Sequence, residues 1–202
     1  MAGFSILSLA DMIDVKGEDF CREVLSTFTS PHNKDVQRYI TERSAIDFAK
    51  QRVCQTFLVF ASYKGKPVLC GYFSIANKFI VVKTHRLSSA LRRRLRKFAT
   101  PAGPDEITIT APLIAQIGKN YTNEYNKLIT GDELLHFAIG MIKDAQKVLG
   151  GKIVYLECED RGALVNFYLN NGFVEFGERE MERDEKKDLY GTHLVQMLRY
   201  LD

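Results

Sequence analysis

The clearest pattern in the chain is a wide apolar stripe at helical spacing over residues 132–149. Its apolar side chains, Leu134 and Ala138 among them, recur three or four positions apart, and this period places them on one face of an α-helix. Apolar segments over 105–120 and 152–159 flank the helix and have the β-branched content of strands. A helix that connects two strands predicts an α/β fold with right-handed crossovers.

The rest of the chain alternates between helical and strand periodicity. The segment KGKP at 64–67 has the turn residues expected between two antiparallel strands. Pro112 removes one backbone donor from its strand, so we expect a bulge or an edge position there. Helices are also predicted over 17–30, 33–52, 86–98 and 161–171, and strands over 56–63, 68–82, 172–178 and 190–201. No segment reads as a linker, so residues 1–202 are predicted to form one domain, with 86–98 as a basic helical insertion.

The composition narrows the class of protein. A hydrophobic content of 46% with 26% charged residues is typical of soluble globular proteins. No apolar run reaches the ~18 residues that a membrane span requires, and a cytoplasmic location without membrane association is expected. The four cysteines are far apart and the four histidines fall at no metal-ligand spacing, so we expect neither a disulfide framework nor a metal site. A net charge of +3 is too small by itself to indicate nucleic-acid binding.

The segment 166–173 reads NFYLNNGF. Together with the order of the predicted elements, it resembles the FYxxxGF signature of the GNAT family of N-acetyltransferases, and the resemblance covers almost the whole chain. The resemblance implies a mixed central sheet of about six or seven strands with helices on both faces. It also implies transfer of an acetyl group from acetyl-CoA to a primary amine by direct attack.

The same resemblance gives Tyr168 the role of the acid that protonates the departing CoA thiolate, and places Asn166 and Phe167 at the cofactor. A phenol with a pKa of ~10 is protonated at neutral pH, as this role requires. The alternative is that Phe167 and Tyr168 pack a short helix against the sheet, with Gly172 at its C-terminal end.

The strand over 105–120 and the loop after it resemble the family's motif A. In that motif a strand splays from its neighbour, and the resemblance implies that the backbone of Ile117 and Lys119 pairs with the pantetheine amides of CoA. The family's phosphate loop, Q/R-x-x-G-x-G/A, aligns with NKLITG at 126–131, which keeps only the last glycine. The cofactor contacts implied here are Lys127, Leu128, Ile129, Thr130, Gly131 and Asp132. Thr130 and Glu133 also fit a capping box, which leaves ordinary helix capping as an alternative.

The acceptor amine must lose a proton, and Glu157 and Glu159 are the candidate bases because alternation places them on one side of a strand end. Each also fits a solvated carboxylate, and the family resemblance implies an ordered water as the alternative base. Cys158 lies between them, and a structural role is favoured for it because no histidine is near in sequence.

A basic run follows the hairpin and contains no acidic residue. It would bind RNA phosphates or the 3′-phosphate of CoA, or it is a solvated face anchored by Leu87, Leu91 and Leu95. The run comprises Lys83, Arg86, Arg92, Arg93, Arg94, Arg96 and Lys97. The mixed-charge segment 178–188 is expected to be a solvated or mobile loop, with recognition of the acceptor as the alternative.

These patterns leave the acceptor open among small amines, proteins and aminoacyl-tRNA. Two alternatives to a general N-acetyltransferase follow. One is a toxin-like enzyme that acetylates aminoacyl-tRNA and holds the RNA through Arg92, Arg93, Arg94 and Arg96. The other is a non-catalytic CoA-binding or interaction module. Homodimer formation is also left open.

Overall fold

In a computed structural model, residues 3–42 and 44–202 are described. Its seven α-helices and eight strands follow one another along the chain, and short 3-10 turns at Thr84–Arg86, Thr122–Lys127 and Glu185–Lys187 lie between them. The helices are α1 (Leu9–Lys16), α2 (Glu18–Ser26), α3 (Lys34–Thr41), α4 (Ser44–Gln51), α5 (Ser89–Leu95), α6 (Gly131–Leu149) and α7 (Gly162–Asn170). The strands are β1 (Phe4–Ser8), β2 (Gln55–Tyr63), β3 (Lys66–Lys83), β4 (Ala99–Gly103), β5 (Glu106–Lys119), β6 (Ile153–Glu159), β7 (Val174–Glu180) and β8 (His193–Tyr200).

The strands form one mixed sheet in the order β1-β2-β3-β5-β6-β8-β7, with β4 paired to β5. β2 and β3 make the predicted antiparallel hairpin, and β5 and β6, which α6 connects, are parallel. The predicted α/β fold with a mixed sheet is therefore confirmed. The strands number eight rather than six or seven because β1 and β4 were not predicted.

β4 was not predicted, because Pro101 and Gly103 are residue types that commonly end a helix. Both lie within the strand, which is short and mostly exposed, and proline is tolerated in such a position. The edge position expected for Pro112 is wrong, because β5 has neighbours on both sides. Along β5, the residues paired with β4 end at Ile109, and the residues paired with β6 begin at Leu113. Pro112, which has no N–H to donate, therefore lies between the parts of β5 that pair with these two strands.

The helical boundaries also differ from prediction. The expected helix over 33–52 is two helices, α3 and α4, and Arg43 between them lies outside the described residues. A further helix, α1, precedes the predicted one and is separated from α2 by Gly17, whose φ of 84° is unfavourable for other residues. The basic helix over 86–98 is shorter than expected: α5 begins after Ser88, whose hydroxyl accepts the Leu91 N–H, and ends before β4.

Contacts divide the chain into two compact units. The first comprises the chain up to Ala76 together with 115–140. Its core joins α1–α4 to β2 and β3 and contains Leu25, Ile40 and Leu58, all at most 1% exposed. These helices therefore bury Leu25 and Ile40 in a core shared with the hairpin, whereas Phe20 of α2 is 44% exposed.

The second unit comprises 77–114 and 141–202. Its core collects the last part of β3, α5, the first part of β5 and residues of β6, β7 and β8. Leu87 and Leu95 are buried in this core, with Leu91 packed against it, so the predicted apolar anchoring of the basic helix is confirmed. The prediction of a single domain over 1–202 stays a prediction.

Candidate functional site

Asn120 ends β5 and is fully buried in the first unit. Its backbone N–H donates to Cys70 O and its side-chain Nδ2 to Leu69 O, each at 2.9 Å. Its Oδ1 accepts the backbone N–H groups of Thr29 at 3.0 Å and Thr122 at 3.1 Å. The side chain thus satisfies three backbone groups and attaches the start of the loop over 121–130 to β3 and to the segment after α2. The sequence analysis missed Asn120, because an asparagine between a strand and a polar loop also fits an ordinary turn.

Two glycines, Gly118 in β5 and Gly71 in β3, allow the chain to pack closely at the end of β5. A Cβ on Gly118 would overlap the Val36 side chain of α3, and a Cβ on Gly71 of β3 would lie 3.0 Å from the Gly118 carbonyl oxygen. Only glycine at these positions allows the strands and α3 to approach so closely. Ile117 and Lys119, the predicted backbone partners of pantetheine, are half-buried on either side of Gly118.

The start of α6 forms the capping box that was the alternative interpretation of this loop. Thr130 Oγ1 accepts the Glu133 N–H at 3.1 Å, and the backbone N–H of Thr130 donates to Glu133 Oε2 at 2.8 Å. The hydroxyl of Thr130 also donates to this carboxylate, and the two bonds lower the pKa of Glu133. A pyrophosphate at this helix end would have to compete with a carboxylate that belongs to the chain.

The loop residues that were predicted to contact the cofactor differ in burial and in their hydrogen bonds. Ile129 is buried in the first unit, the Leu128 N–H donates to Tyr125 O at 3.0 Å, Gly131 is half-buried and Asp132 is exposed. The Lys127 ammonium donates to the Glu124 carboxylate. The positive charge of Lys127 is therefore paired within the chain, although such an exposed ion pair is weak and exchanges readily.

Tyr168 lies on α7 in the second unit and is 5% exposed. Its ring meets the rings of Phe167 and Phe173 edge-on, with centroids 5.0 and 5.8 Å apart. Burial raises the pKa of Tyr168, and the nearby Cys158 raises it further. The phenol is thus protonated at neutral pH, and it also makes the packing contacts expected of the alternative interpretation. Asn166 is exposed on the same helix, Phe167 is half-buried, and Gly172 after the helix has a φ of 78°.

Both candidate bases are engaged in hydrogen bonds within the second unit. Glu157 Oε2 accepts from Arg179 Nε and Glu157 Oε1 from Gln196 Nε2, each at 2.8 Å. Arg179 also makes two bonds to Glu185, at 2.8 and 3.0 Å. The segment 178–188, expected to be a solvated or mobile loop, is therefore tied to β6 through one arginine.

Glu159 is 6% exposed and bonds the backbone at Tyr190, just after the segment 178–188. Its Oε1 accepts the Tyr190 N–H at 2.5 Å and the Arg161 guanidinium at 3.1 Å. Cys158, between the two glutamates, is buried with its Sγ 4.0 Å from Met197 Sδ, and burial raises its pKa to about 12. A thiol with so high a pKa is a poor nucleophile, in agreement with the predicted structural role. Cys21, Cys54 and Cys70 are also buried, and none of these cysteines forms a disulfide.

No protein-family model and no curated protein matches this sequence. Solved structures do resemble it. AtaT complexed with acetyl-methionyl-tRNAfMet superposes with a TM-score of 0.62 at 12% identity, covering 96% of this chain and 94% of that one. AtaTR bound with acetyl-CoA gives 0.55 at 11% identity, covering 95% and 91%. A tyrosine-to-phenylalanine mutant of KacT gives 0.60 at 12% identity, covering 95% and 93%.

The chain has the GNAT fold. The resemblance first suggested by the element order thus holds for the three-dimensional structure over almost the full length. At these identities the likeness concerns the fold, and the chemistry has to be argued from residues.

The basic run of this GNAT-fold chain splits into two groups. Arg92 is half-buried and donates from Nη2 to Leu87 O at 3.4 Å, and Arg94 lies over the Tyr200 ring, 5.1 Å from its centroid. Arg93 and Arg96 are exposed, as is Lys97. Arg94 is exposed as well, so most of the run is open to solvent, where a polyanion would reach it, and Arg92 is its half-buried member.

Two further findings concern the part of this chain that the structure describes. None of its helices combines the length and apolar character of a membrane span. Its histidine, cysteine and carboxylate side chains form no group of three or more placed to hold a metal ion.

Proposed function

We propose that this protein is an N-acetyltransferase that moves the acetyl group of acetyl-CoA to a primary amine by direct attack. The observation that carries the proposal is the GNAT fold, shared over nearly the whole chain with a structure bound to acetyl-CoA. Tyr168, buried and protonated in the signature segment, supplies the acid that the reaction needs.

The chemistry is one acyl transfer. The amine nitrogen forms a bond to the acetyl carbonyl carbon, the carbon–sulfur bond breaks, the nitrogen loses one proton, and the thiolate gains one. Tyr168 donates a proton to the sulfur as the carbon–sulfur bond breaks, and the resulting phenolate, which is the stronger base, takes a proton back from solvent before the next turnover. Both oxygens of Glu157 already accept hydrogen bonds, whereas the bonds described for Glu159 are all made by Oε1, so Glu159 is the better carboxylate for the amine proton. An ordered water is the alternative acceptor.

For the cofactor we propose the backbone of Ile117 and Lys119 as partners of pantetheine, and the loop 127–132 as the holder of the pyrophosphate. The start of α6 supports this assignment, because helix N-termini attract anions. Binding would exchange two internal contacts: Glu133 would leave the Thr130 amide, and Lys127 would turn from Glu124 to a phosphate. Asn166 and Phe167 complete the set of proposed cofactor contacts.

The first test is thermal unfolding with and without acetyl-CoA. A ligand at ~100 times its dissociation constant stabilises by ~2.7 kcal/mol, or roughly 5 to 11 °C for a chain of this size. Adenosine 3′,5′-bisphosphate, the nucleotide part of CoA without pantetheine, serves as the matched ligand control and should give a smaller shift. No shift at millimolar acetyl-CoA would contradict the proposal.

The second test is Tyr168→Phe, which keeps the ring packing and removes the acid. We expect turnover to fall by at least about a hundredfold while acetyl-CoA binding is unchanged, because general acids typically contribute ~10²- to 10⁴-fold. Wild-type turnover in the variant would show that the phenol only packs. Binding of acetyl-CoA without transfer to any amine would favour a non-catalytic CoA-binding module.

A second candidate acceptor is aminoacyl-tRNA. The exposed Arg93, Arg96 and Lys97 favour it, and a structure of similar fold, AtaT, is complexed with an acetylated aminoacyl-tRNA. Reversing these three charges to glutamate should weaken tRNA binding and flatten its dependence on salt. A control with the same change of net charge reverses Lys16, Lys64 and Lys66, which are exposed in the first unit. Equal affinity in the two triple variants would contradict a specific role for α5.

A further inference from the structure

A small polar pocket of about 190 Å³ lies in the second unit, where the end of β3 meets β7 and β8. Val81 and Phe176 form its apolar side, and Lys83, Arg86 and Glu178 carry its charges. Pockets that enclose a whole drug-sized ligand measure ~300 Å³ or more. This one is therefore the size of a single end group of a larger molecule.

A β-bulge gives the pocket its shape. The register between β7 and β8 shifts between Glu175 and Gly177, which leaves Phe176 as the extra residue. Phe176 turns into the core and is 2% exposed. Gly177 follows it and has no side chain to fill the space, since a Cβ there would lie 2.9 Å from Gln196 Oε1. The bulge and the glycine together keep the cavity open.

The amide of Gln196 in the pocket wall has a fixed orientation. Its Nε2 donates to Glu157 Oε1 at 2.8 Å, and Glu157 is held in turn by Arg179 Nε at 2.8 Å. A carboxylate only accepts hydrogen bonds, so the nitrogen of Gln196 must face Glu157. The oxygen of Gln196 is consequently the atom presented at Gly177, on the pocket side.

The charges of the pocket are not neutralised within the protein. Among the described residues, neither Lys83 nor Arg86 takes part in an ion pair, and both side chains are exposed. Glu178 is likewise exposed. The lining thus holds two cations and one carboxylate, with an amide oxygen fixed between them. This arrangement attracts an anion and leaves acceptors for an N–H donor attached to it.

We propose that this pocket binds the anionic end group, a carboxylate or a phosphate, of the amine that the protein acetylates. The inference rests on the proposed function. Lys83 and Arg86 hold the anion, and Gln196 Oε1 accepts an N–H of the same molecule. Glu157 acts through Gln196 as a positioning residue. The substrate class is an amine that carries an acidic group a few bonds from its nitrogen.

Binding is tested without catalysis, by calorimetric titration with inorganic phosphate and, separately, with acetate. At least one of them should bind saturably, and Lys83→Gln with Arg86→Gln should weaken binding by at least about tenfold, since hydrogen bonds to charged groups are strong. The matched control, Lys16→Gln with Lys66→Gln, removes the same charge from exposed positions in the first unit. It should leave the affinity within about twofold. Equal weakening in both pairs, or no saturable binding of either anion, would overturn the inference.

The two anions distinguish the sources of the end group. Stronger binding of phosphate than of acetate indicates a phosphate-bearing acceptor, and the reverse indicates a carboxylate. Gly177→Ala provides a second variant that keeps both cations. Its added methyl group crowds Gln196 Oε1 and should weaken anion binding while the Lys83 and Arg86 charges stay in place. Unchanged binding in this variant would place the anion outside the pocket.

Steady-state kinetics test whether the pocket binds the acceptor amine during acetyl transfer. Glycine and glycinamide, which differ in one negative charge, are compared as acceptors. In Lys83→Gln with Arg86→Gln, the KM for glycine should rise at least about tenfold, while kcat and the KM for glycinamide stay unchanged. An equal rise for both acceptors would overturn the acceptor assignment. Failure of acetyl-CoA to stabilise the protein, with anion binding intact, would instead contradict the proposed function.

Discussion

The loop after β5 and the loop after β7 are both polar, but different chemistry holds them. The first is attached by Asn120, a fully buried neutral amide that bonds three backbone groups. The second is attached by carboxylates on β6, through Arg179 and through the backbone N–H of Tyr190. A neutral anchor is independent of pH and salt, whereas a charged anchor depends on both. The loop proposed to hold acetyl-CoA is the one fixed by the neutral anchor.

The strongest test of this comparison removes the neutral anchor. Asn120→Ala leaves Leu69 O and the Thr29 and Thr122 N–H groups without their partner and opens a small cavity. Each buried unsatisfied group costs ~1 to 3 kcal/mol, so we expect a loss on the order of 3 to 5 kcal/mol in urea unfolding. Asn170→Ala, at an exposed position of α7, is the control and should change stability little. A loss below about 1 kcal/mol for Asn120→Ala would mean that water replaces the amide.

The second test concerns the close approach at the end of β5. In Gly118→Ala the new methyl group overlaps Val36, and overpacking typically costs ~1 to 3 kcal/mol. Adding Val36→Ala to this variant should recover part of the loss, because the two changes share one contact. Gly140→Ala is the control, since nothing lies within 4 Å of its Cβ position in α6. It should stabilise by ~0.5 to 1 kcal/mol. Equal losses in both variants would refute the steric argument.

The third test breaks the charged anchor and uses pH. Hydrogen bonds from Arg179 lower the pKa of Glu185 from its ordinary value of 4.5. Because the folded-state pKa is the lower one, this stabilisation is complete above pH 4.5 and is lost as the pH falls through the folded-state pKa. Arg179→Met should unfold more readily than wild type at pH 7, with a difference that shrinks below pH 4.5. A difference that stays constant from pH 7 to pH 3 would indicate lost packing alone. Arg93→Met, at an exposed position, controls for the loss of a surface arginine.

The smallest expected effect on stability belongs to Lys127→Ala, within about 0.5 kcal/mol, because its ion pair with Glu124 is exposed. Its effect on acetyl-CoA should be larger, a loss of about three- to tenfold in affinity, if Lys127 turns to a phosphate. Lys147→Ala is matched, since Lys147 has a similar exposed pair with Asp144 three residues away. Titration of both variants with acetyl-CoA measures the two dissociation constants. Equal values would mean that Lys127 does not bind the cofactor.

The sequence predicted what depends on local pattern. The hairpin β2–β3, the long helix α6 and the short helix α7 follow from periodicity, and the capping box at Thr130 follows from residue spacing. The α/β fold class was predicted because the order of helices and strands, rather than any single motif, constrains the topology. β4 was missed because Pro101 and Gly103 signal a break, and pairing with β5 overrides that signal.

The candidate site was less accessible, because its decisive contacts join residues far apart in sequence. Asn120 bonds Thr29 and Leu69, which are 91 and 51 positions away. Arg94 lies over the ring of Tyr200, far along the chain, while its side chain stays exposed like that of Arg93. Residue types identified the candidates Tyr168, Glu157 and Glu159, but only coordinates reveal that Arg179 and Gln196 engage Glu157. The roles of these residues in catalysis stay predictions.

The buried cysteines give the protein a built-in reporter of opening. All four cysteines are buried and outside any disulfide, and burial raises the pKa of Cys70 to about 11 and that of Cys158 to about 12. Since thiolates are the reactive form, a mild alkylating reagent should modify the folded protein very slowly. Cys70 lies in the first unit and Cys158 in the second. Mapping which thiol is alkylated first would therefore measure whether one unit loosens before the other, without any added label.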